Sequence, residues 1–189
     1  VLMFVWNLPG NNEFPSLIFY KEHPHWIKTA MNRYVVDPGI PEAREWAFNR
    51  VMEVVQNYDI DGVHFDDYFY YERTLGELKD QATYEKYNKG QFTNIEDWRR
   101  YNTYLLVKEL SEEINSTKPW VKFGISPGGI WANKPDGYLE GSNTQSTYTN
   151  YNTNFADTKK WVDEELIDYI APQIYFTFAN SKASYGELA

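Results

Sequence analysis

Polar and apolar residues alternate along three stretches of this chain, at 60–72, 120–127 and 168–176. Successive side chains of a strand point to opposite faces, so each stretch would place its apolar residues on one face. The other face would then carry small, polar or charged residues. The apolar positions are Val63 and Phe65, then Val121, Phe123 and Ile125, then Ile170, Ile174 and Phe176; the opposite positions are Gly62, His64 and Asp66, then Lys122, Gly124 and Ser126, then Ala171, Gln173 and Tyr175. The pattern predicts three strands, each with one apolar and one polar face.

The N-terminal third of the chain has two further patterns. The continuous apolar run Val1–Trp6 is typical of a strand buried on both faces. Residues 13–40 show no such regularity and are predicted to be irregular. After Pro41, apolar residues recur at three- and four-residue steps from Ala43 to Tyr58, which predicts an amphipathic helix of about four turns.

The middle of the chain is predicted to be helical after a long polar segment at 72–92. Thr93 and Glu96 have the spacing of a capping box, so a helix is expected from there to about Asn115. Another short helix is expected at 155–166. The residues expected to be buried on the longer helix are Trp98, Leu105, Leu106, Leu110 and Ile114.

This order of strands and helices is the repeated βα unit of an α/β protein with a parallel sheet. A doubly wound sheet meets helices on both faces, whereas the inner face of a closed (β/α)8 barrel of the TIM type can carry polar groups near its C-terminal mouth. The alternation therefore favours a TIM-type barrel. Since only four of eight strands can be counted, we expect residues 1–189 to be a single domain that covers part of a barrel, about strands 3 to 6. The chain begins inside a predicted strand, so further residues are expected upstream.

Composition narrows the possible partners. A net charge of −9 argues against a nucleic-acid backbone or an anionic membrane surface as partner. The chain has no cysteine, which excludes disulfides, zinc–thiolate sites and a cysteine nucleophile. No run is long enough for a transmembrane helix, and no signal peptide is visible. The 7 Trp, 16 Tyr and 11 Phe residues are too many for one small core, and exposed rings suit the flat faces of sugars.

Four segments match a known protein family in order and spacing. They are VVDPGIPEARE at Val35–Glu45, YDIDGVHFDDYFY at Tyr58–Tyr70, KPWVKFGISPGGIWAN at Lys118–Asn133 and DTKKWVDEELIDYIAPQIYF at Asp157–Phe176. Together they resemble the bacterial glycosyl hydrolase-like 10 family over nearly the whole chain. Two features depart from the family's pattern: Asp37 stands where the family typically has Asn, and the first strand has Trp6, Asn7 and Pro9 in altered spacing without the usual basic residue.

The resemblance implies a TIM-type barrel and hydrolysis of O-glycosidic bonds, with a bacterial cell-envelope polysaccharide as the substrate. It implies an exported or lipid-anchored protein, and hence an extracellular or cell-envelope location. No cofactor is implied. The family's first two and last two strands have no counterpart in this sequence.

Glycoside hydrolysis uses two carboxyl groups, about 5–5.5 Å apart for retention and roughly 6.5–9.5 Å apart for inversion. Asp66 has the inward orientation and is the first candidate for nucleophile or general base. Asp67 is expected at the rim, either catalytic or bound to a sugar hydroxyl. His64 lies two residues before Asp66 on the same face and is expected to hold its carboxylate. For the acid/base partner, Asp136, Glu140 and residues of absent strands all remain candidates.

A wider set of residues is expected to contact substrate at the mouth of the barrel. Each of them singly could serve packing or capping instead, and only their convergence favours a site. The polar candidates are His64, Ser126, Asn133, Gln173 and Tyr175; the stacking candidates are Tyr68 and Trp131; the first strand adds Trp6 and Asn7.

Two other functions stay open. The first is a metal-dependent hydrolase or deacetylase with His64, Asp66 and Asp67 as ligands, since imidazole and carboxylate suit a divalent metal. The second is a barrel that binds carbohydrate without cleaving it. The pair His23 and His25 is another conceivable metal site, but a surface loop is the favoured interpretation there because no third ligand is near in sequence.

Overall fold

A computed structural model describes residues 7–8, 21–30, 33–66, 69–70 and 78–189. It has α/β content, with strands and helices that alternate along most of the described chain. The strands are β1 (Asn7–Leu8), β2 (Ile27–Ala30), β3 (Arg33–Val36), β4 (Gly62–Asp66), β5 (Lys122–Ser126) and β6 (Tyr169–Ile170). The helices are α1 (Pro41–Asn57), α2 (Gln81–Tyr87), α3 (Ile95–Thr117), α4 (Asn150–Thr153), α5 (Thr158–Asp163) and α6 (Tyr185–Leu188).

The sheet that carries the predicted site is parallel, with the order β4-β5-β6. The predicted alternation is confirmed in β4, where Val63 and Phe65 are buried and the residues between them are only half-buried. In β5, Phe123 and Ile125 are buried on the same side. These apolar residues form one core with the inner faces of α1 and α3. The opposite face of the sheet is therefore left to the polar residues.

The third strand is much shorter than the predicted segment at 168–176. Only Tyr169 and Ile170 form the β6 ladder with β5, and both are exposed. The Ala171 amide still donates to the Ile125 carbonyl at 2.8 Å, but the next residue, Pro172, has no N–H to donate to a neighbouring strand. Pairing resumes at a single parallel bridge between Gly128 and Gln173. The proline thus divides the predicted strand into a short ladder and one isolated bridge.

Within residues 13–40, the prediction of irregular structure is wrong for the part that the structure describes. β2 and β3 form an antiparallel pair, and β1 adds to the other side of β3. Strands of four residues are too short to show a clear alternation in sequence. The predicted strand Val1–Trp6 lies outside the described residues.

Two helices cover the apolar face of the parallel sheet. α1 begins at Pro41 as expected and buries Ala43, Ala47 and Val51. α3 begins one residue later than the predicted capping box, because its cap is Asn94, whose side chain accepts a hydrogen bond from the Asp97 amide. Among the predicted buried residues of α3, Leu105 is only half-buried, and the others lie in the interior.

No helix of the described chain combines the length and the apolar character that a transmembrane helix requires.

Candidate active site

The candidate site lies on the polar face of the parallel sheet, toward the C-terminal ends of its strands. Strand register sets two rows across that face: His64 is opposite Gly124, which is opposite Tyr169, and Asp66 is opposite Ser126. Because side chains two residues apart share a face, Asp66 and Ser126 stand directly beyond His64 and Gly124. The carboxyl ends of parallel strands are where α/β proteins bind ligands. The sheet therefore brings Asp66, His64 and Ser126 together as predicted.

Gln173 holds the carboxylate of Asp66. Its side-chain Nε2 donates to Asp66 Oδ1 at 2.5 Å and to the Ser126 carbonyl at 2.8 Å. The backbone amide of Gln173 also donates to the Pro127 carbonyl at 2.8 Å, which fixes the side chain at the end of β5. A donated hydrogen bond stabilises a carboxylate in its ionised form. The expectation that His64 plays this role is wrong, because its ring nitrogens bond elsewhere.

The His64 imidazole lies between two hydroxyl groups. Its Nε2 is 2.7 Å from Ser126 Oγ and its Nδ1 is 2.8 Å from Tyr169 Oη. The Tyr169 ring also stacks on it, with 5.6 Å between centroids and 18° between planes. This arrangement needs Gly124, since a Cβ there would lie 2.1 Å from the Tyr169 ring. Sequence analysis missed Tyr169, although it has the same orientation along the strand as Ala171 and Gln173.

The side chains of His64, Asp66, Ser126 and Gln173 line an open groove of about 560 Å³. Among the described residues that line it, Asp66 carries the only carboxylate. Neither proposed partner reaches the groove: Asp136 accepts a hydrogen bond from Asn133 at 2.8 Å, and Glu140 forms an ion pair with Lys159 at 3.4 Å. The identity of the second carboxylate therefore stays a prediction.

Aromatic rings form one edge of the groove. Tyr175 lines it as predicted, with 84% of its surface exposed. Tyr185 also lines the groove, and Phe178 packs against it with 5.1 Å between ring centroids. Phe178 is 76% exposed, so most of its ring surface remains open to solvent. Sequence analysis missed Tyr185 and Phe178 because they follow the last predicted strand.

Two residues predicted to contact substrate, Trp131 and Asn133, instead make packing contacts and hydrogen bonds within the loop after β5. Trp131 packs edge-on against Tyr138 and Tyr151 and donates from its indole nitrogen to Asp157 at 3.0 Å. Asn133 is buried, with 3% of its surface exposed. Its amide donates to Asp136 and the Ser146 carbonyl, and it accepts from Thr144 Oγ1 and the Ser146 amide. Both residues shape the loop, and their contacts to substrate stay predictions.

Three predicted site residues, Trp6, Asp67 and Tyr68, lie outside the described residues. Asn7 lies in β1, and its side chain is likewise outside the described part. Their assignments stay predictions.

The metal hypothesis gains no support from the arrangement of His64. Both of its ring nitrogens are engaged by hydroxyl groups, so binding a metal would cost it one of these hydrogen bonds. In the described part of the chain, no three His, Asp or Glu side chains come together as a ligand set. His23 stacks on Trp26 at 3.8 Å between centroids, which gives the His23–His25 segment a packing role.

A second group of polar residues lies buried beside α3. Asp80 accepts hydrogen bonds from Tyr70 Oη at 2.7 Å and from Arg99 Nε at 2.9 Å. Asp37 accepts from the Gly39 amide at 2.9 Å and from Thr83 Oγ1 at 2.6 Å. We call these residues the buried network: Asp37, Tyr70, Asp80, Thr83 and Arg99.

Burial dominates the electrostatics of the buried network. Burial raises the pKa of Asp37, and the nearby Asp80 adds to that, while bonds from Thr83 and Gly39 act in the opposite direction. Burial also raises the pKa of Tyr70 well above its usual value, with the charge of Asp80 as the next cause. This network ties the segment after β4 to α3.

The family model "Glycosyl hydrolase-like 10" matches residues 11–189. The glycosyl hydrolase YngK of Bacillus subtilis (strain 168) is 49% identical over 170 residues, which cover 89% of this chain and 33% of the relative. The glycosyl hydrolase DigH of Escherichia coli (strain K12) is 48% identical over 170 residues, covering 90% and 38%. The chain thus spans about a third of the length of these curated relatives.

Among solved structures, the α-galactosidase from Lactobacillus brevis aligns with 67% of this chain and 16% of its own. The TM-score is 0.42 and the sequence identity is 16%. This likeness is too slight to bear on the fold or the function.

Proposed function

The chain belongs to the glycosyl hydrolase-like 10 family, and we propose that it forms the part of a glycoside hydrolase that carries one catalytic carboxylate, Asp66. The substrate is a polysaccharide that is cleaved at its O-glycosidic bonds. We propose that it is a glycan of the bacterial cell envelope and that the enzyme acts outside the cytoplasm. The observation that supports this most directly is the hydrogen bond from Gln173 Nε2 to Asp66 Oδ1 at the edge of an open groove.

Several features of the groove suit a sugar. Asp66 faces the groove and accepts a hydrogen bond from the neutral amide of Gln173. Hydroxyl and amide groups of Ser126 and Gln173 stand beside it, and Tyr175 offers an exposed ring at the rim. Polar groups that fix hydroxyls, combined with aromatic faces, are the usual composition of a carbohydrate site.

We also propose that β4, β5 and β6 belong to a (β/α)8 barrel. Support comes from the two faces of the sheet: the helices α1 and α3 cover the apolar face, and the polar face carries the groove. A barrel has this arrangement, with helices outside and functional side chains at the C-terminal mouth. The second carboxylate would then face Asp66 across that mouth.

The central test is Asp66→Asn in the full chain, assayed on bacterial envelope glycan strands with detection of new reducing ends. We expect cleavage to fall by at least about 1000-fold, because either a nucleophile or a general base requires the carboxylate. The matched control is Asp163→Asn, which removes an exposed carboxylate of α5 and should leave cleavage unchanged. Unchanged cleavage in Asp66→Asn, with the fold intact by circular dichroism, would refute the assignment.

Azide separates the two roles of Asp66. If Asp66 is the nucleophile, Asp66→Gly with added azide should yield a glycosyl azide whose anomeric configuration is opposite to that of the natural product. If Asp66 is instead the general base of an inverting enzyme, no glycosyl azide of that opposite configuration is expected. The variants Asp136→Asn and Glu140→Gln test the remaining acid/base candidates in the same assay.

The same wild-type chain and Asp66→Asn variant also test the non-catalytic alternative. A barrel that only binds carbohydrate would show no turnover in the wild-type chain, and Asp66→Asn would leave glycan affinity unchanged by calorimetry. We expect instead measurable turnover in the wild type and its loss in the variant.

A further inference from the structure

A continuous line of hydrogen bonds crosses the three strands of the parallel sheet, separate from the Asp66–Gln173 pair. Ser126 Oγ lies 2.7 Å from His64 Nε2, and His64 Nδ1 lies 2.8 Å from Tyr169 Oη. A hydroxyl nucleophile, an imidazole within about 2.6–3.2 Å and a third group that orients the imidazole are the parts of a nucleophilic acyl-transfer site. Glycoside hydrolysis by two carboxylates uses none of these parts.

The imidazole is held in one position from three sides. Tyr169 stacks on the ring at 18° between planes, and its hydroxyl engages Nδ1. Gly124 opens the space that the Tyr169 ring occupies. When Nδ1–H donates to the Tyr169 oxygen, the lone pair of Nε2 points at Ser126 and accepts its hydroxyl proton. That tautomer is the one a general base needs.

The serine and the imidazole are also accessible. Both His64 and Ser126 line the groove, and neither is fully buried. A buried Ser–His contact would be a packing feature, whereas this pair faces a space large enough for a ligand. Its chemistry is therefore open to a substrate that enters the groove.

We propose that Ser126 is a nucleophile for carboxylic esters, with His64 as its general base and Tyr169 as a positioning residue. The substrate class is an O-acyl ester, and specifically an O-acylated sugar in the groove beside Asp66. The carbohydrate part of this proposal rests on the proposed glycosidase function. The ester part does not, because it depends only on Ser126, His64 and Tyr169.

The reaction balances with water as the only co-reactant. Ser126 Oγ attacks the ester carbonyl carbon as its proton moves to His64 Nε2, and the tetrahedral intermediate then expels the sugar alkoxide, which takes that proton. Water next attacks the acyl-serine, with its proton moving to Nε2 and on to Ser126 Oγ as the carboxylic acid leaves. Asp66 stands opposite Ser126 in the register, and its charge disfavours the oxyanion, so slow turnover is expected.

The first test needs no variant. The folded full chain is treated with a fluorophosphonate, whose phosphorus is attacked by an activated serine as fluoride leaves, and the labelled residue is identified by mass spectrometry. We expect labelling at Ser126 in folded protein and none in urea-unfolded protein. No label on Ser126, or equal labelling in the unfolded chain, would overturn the proposal.

Variants then assign the roles. Ser126→Ala should abolish both labelling and the hydrolysis of p-nitrophenyl acetate, while Ser181→Ala, an exposed serine of the loop after β6, should change neither. His64→Gln should slow labelling about 100-fold, as expected for loss of a general base. If His64→Gln labels as fast as the wild type, His64 is not the base and the mechanism fails.

Tyr169→Phe tests positioning. Loss of one hydrogen bond should slow labelling roughly tenfold. Nitrogen-15 NMR of the imidazole should show the Nδ1–H tautomer of His64 in the wild type and a mixture in the variant. A purely structural role for Tyr169 would leave the tautomer unchanged, and that result would remove Tyr169 from the proposal.

The two proposals fail separately. Glycan cleavage without labelling of Ser126 would overturn the ester proposal and leave the glycosidase proposal intact. Labelling of Ser126 without glycan cleavage would overturn the glycosidase proposal and leave the ester proposal intact. The substrate class would then be an ester without a required sugar part.

Discussion

Two groups of residues in this molecule each place hydrogen-bond donors around an aspartate. They differ in how far the aspartate is exposed to solvent. In the buried network, Asp80 is fully buried and is met by the guanidinium of Arg99 and the hydroxyl of Tyr70. In the groove, Asp66 is half-buried and its described donor is the neutral amide of Gln173. One carboxylate is buried and paired with a cation, and the other lies at an open surface and accepts a hydrogen bond from an amide.

The comparison separates burial from function. The raised pKa values of Asp37 and Tyr70 belong to the buried network, where burial is their first cause. Such shifts are often taken as signs of an active site, although structural ion-pair networks produce them as well. Here the shifts accompany a connection between α3 and the segment after β4. The residues of the groove, in contrast, line a space large enough for a ligand.

The largest expected effect is on stability, from Arg99→Met in the buried network. Removing the guanidinium leaves Asp80 buried without a countercharge, so we expect the free energy of unfolding to fall by about 3–5 kcal/mol. Urea denaturation followed by circular dichroism measures it. The control Lys108→Met, which removes an exposed pair on α3, should leave the transition in place. A change as small as the control's would mean that the network does not hold the fold together.

The next effect is on activity, from Gln173→Leu in the groove. Asp66 would lose the hydrogen bond from Gln173, and a hydrogen bond to a charged group contributes about 1.5–3 kcal/mol, so cleavage should fall roughly 10- to 100-fold. Stability should change little, because the groove is open to water. Gln145→Leu, at an exposed position, is the matched control for both assays. Loss of stability with unchanged cleavage would place Gln173 with the buried network instead.

Asp37→Asn tests the effect of burial through pH. Since the pKa of Asp37 is raised in the folded state, its protonated form stabilises the fold at low pH, and this contribution is lost as pH rises through the folded pKa. Asn does not titrate and can still bond Gly39 and Thr83. We therefore expect the stability of Asp37→Asn relative to wild type to increase from about pH 4 to pH 7. Thermal unfolding across that range measures it, and a flat or opposite trend would contradict the assignment.

The smallest effect is expected at the opposite end of the parallel sheet, from Lys122→Met. Lys122 pairs with Asp168 at 2.7 Å, but both side chains are exposed to water, so the loss should stay below about 1 kcal/mol. Burial raises the pKa of Asp168, but bonds from Lys122 and the Phe123 amide outweigh it, and the pKa is lowered. The difference between variant and wild type should therefore fade as pH falls below about 4. A loss of unfolding free energy as large as that in Arg99→Met would show that solvent exposure does not explain the different strengths of the two ion pairs.

The sequence predicted the face of each strand well, because one face of the sheet packs on helices and the other does not. That is why Asp66, His64, Ser126 and Gln173 meet where alternation placed them. The hydrogen-bond partners of the site residues could not be predicted in this way. A two-residue periodicity does not indicate that His64 bonds Tyr169 and Ser126 instead of Asp66. Partner choice depends on side-chain length and on the space left by Gly124.

Other features were beyond the reach of a local pattern. Asp80 lies in a polar segment that resembles a loop, and Arg99, 19 residues later, lies on the predicted helix, so their ion pair has no signature in sequence. The antiparallel strands β2 and β3 are each four residues long, too short for a clear alternation. Tyr169 did carry a signal, since it shares the orientation of Gln173 on the third predicted strand.

The position of β5 has a consequence for the lifetime of the groove. In the described part of the parallel sheet, β5 is the strand with hydrogen-bonded neighbours on both sides. Backbone amides of such a central strand exchange with solvent mainly through global unfolding, and edge strands open more easily. Ser126 ends β5, and Gln173 bonds to its carbonyl, so the groove is attached to the slowest-opening element of the sheet. Heating should therefore fray the exposed β6 before it separates β4 from β5.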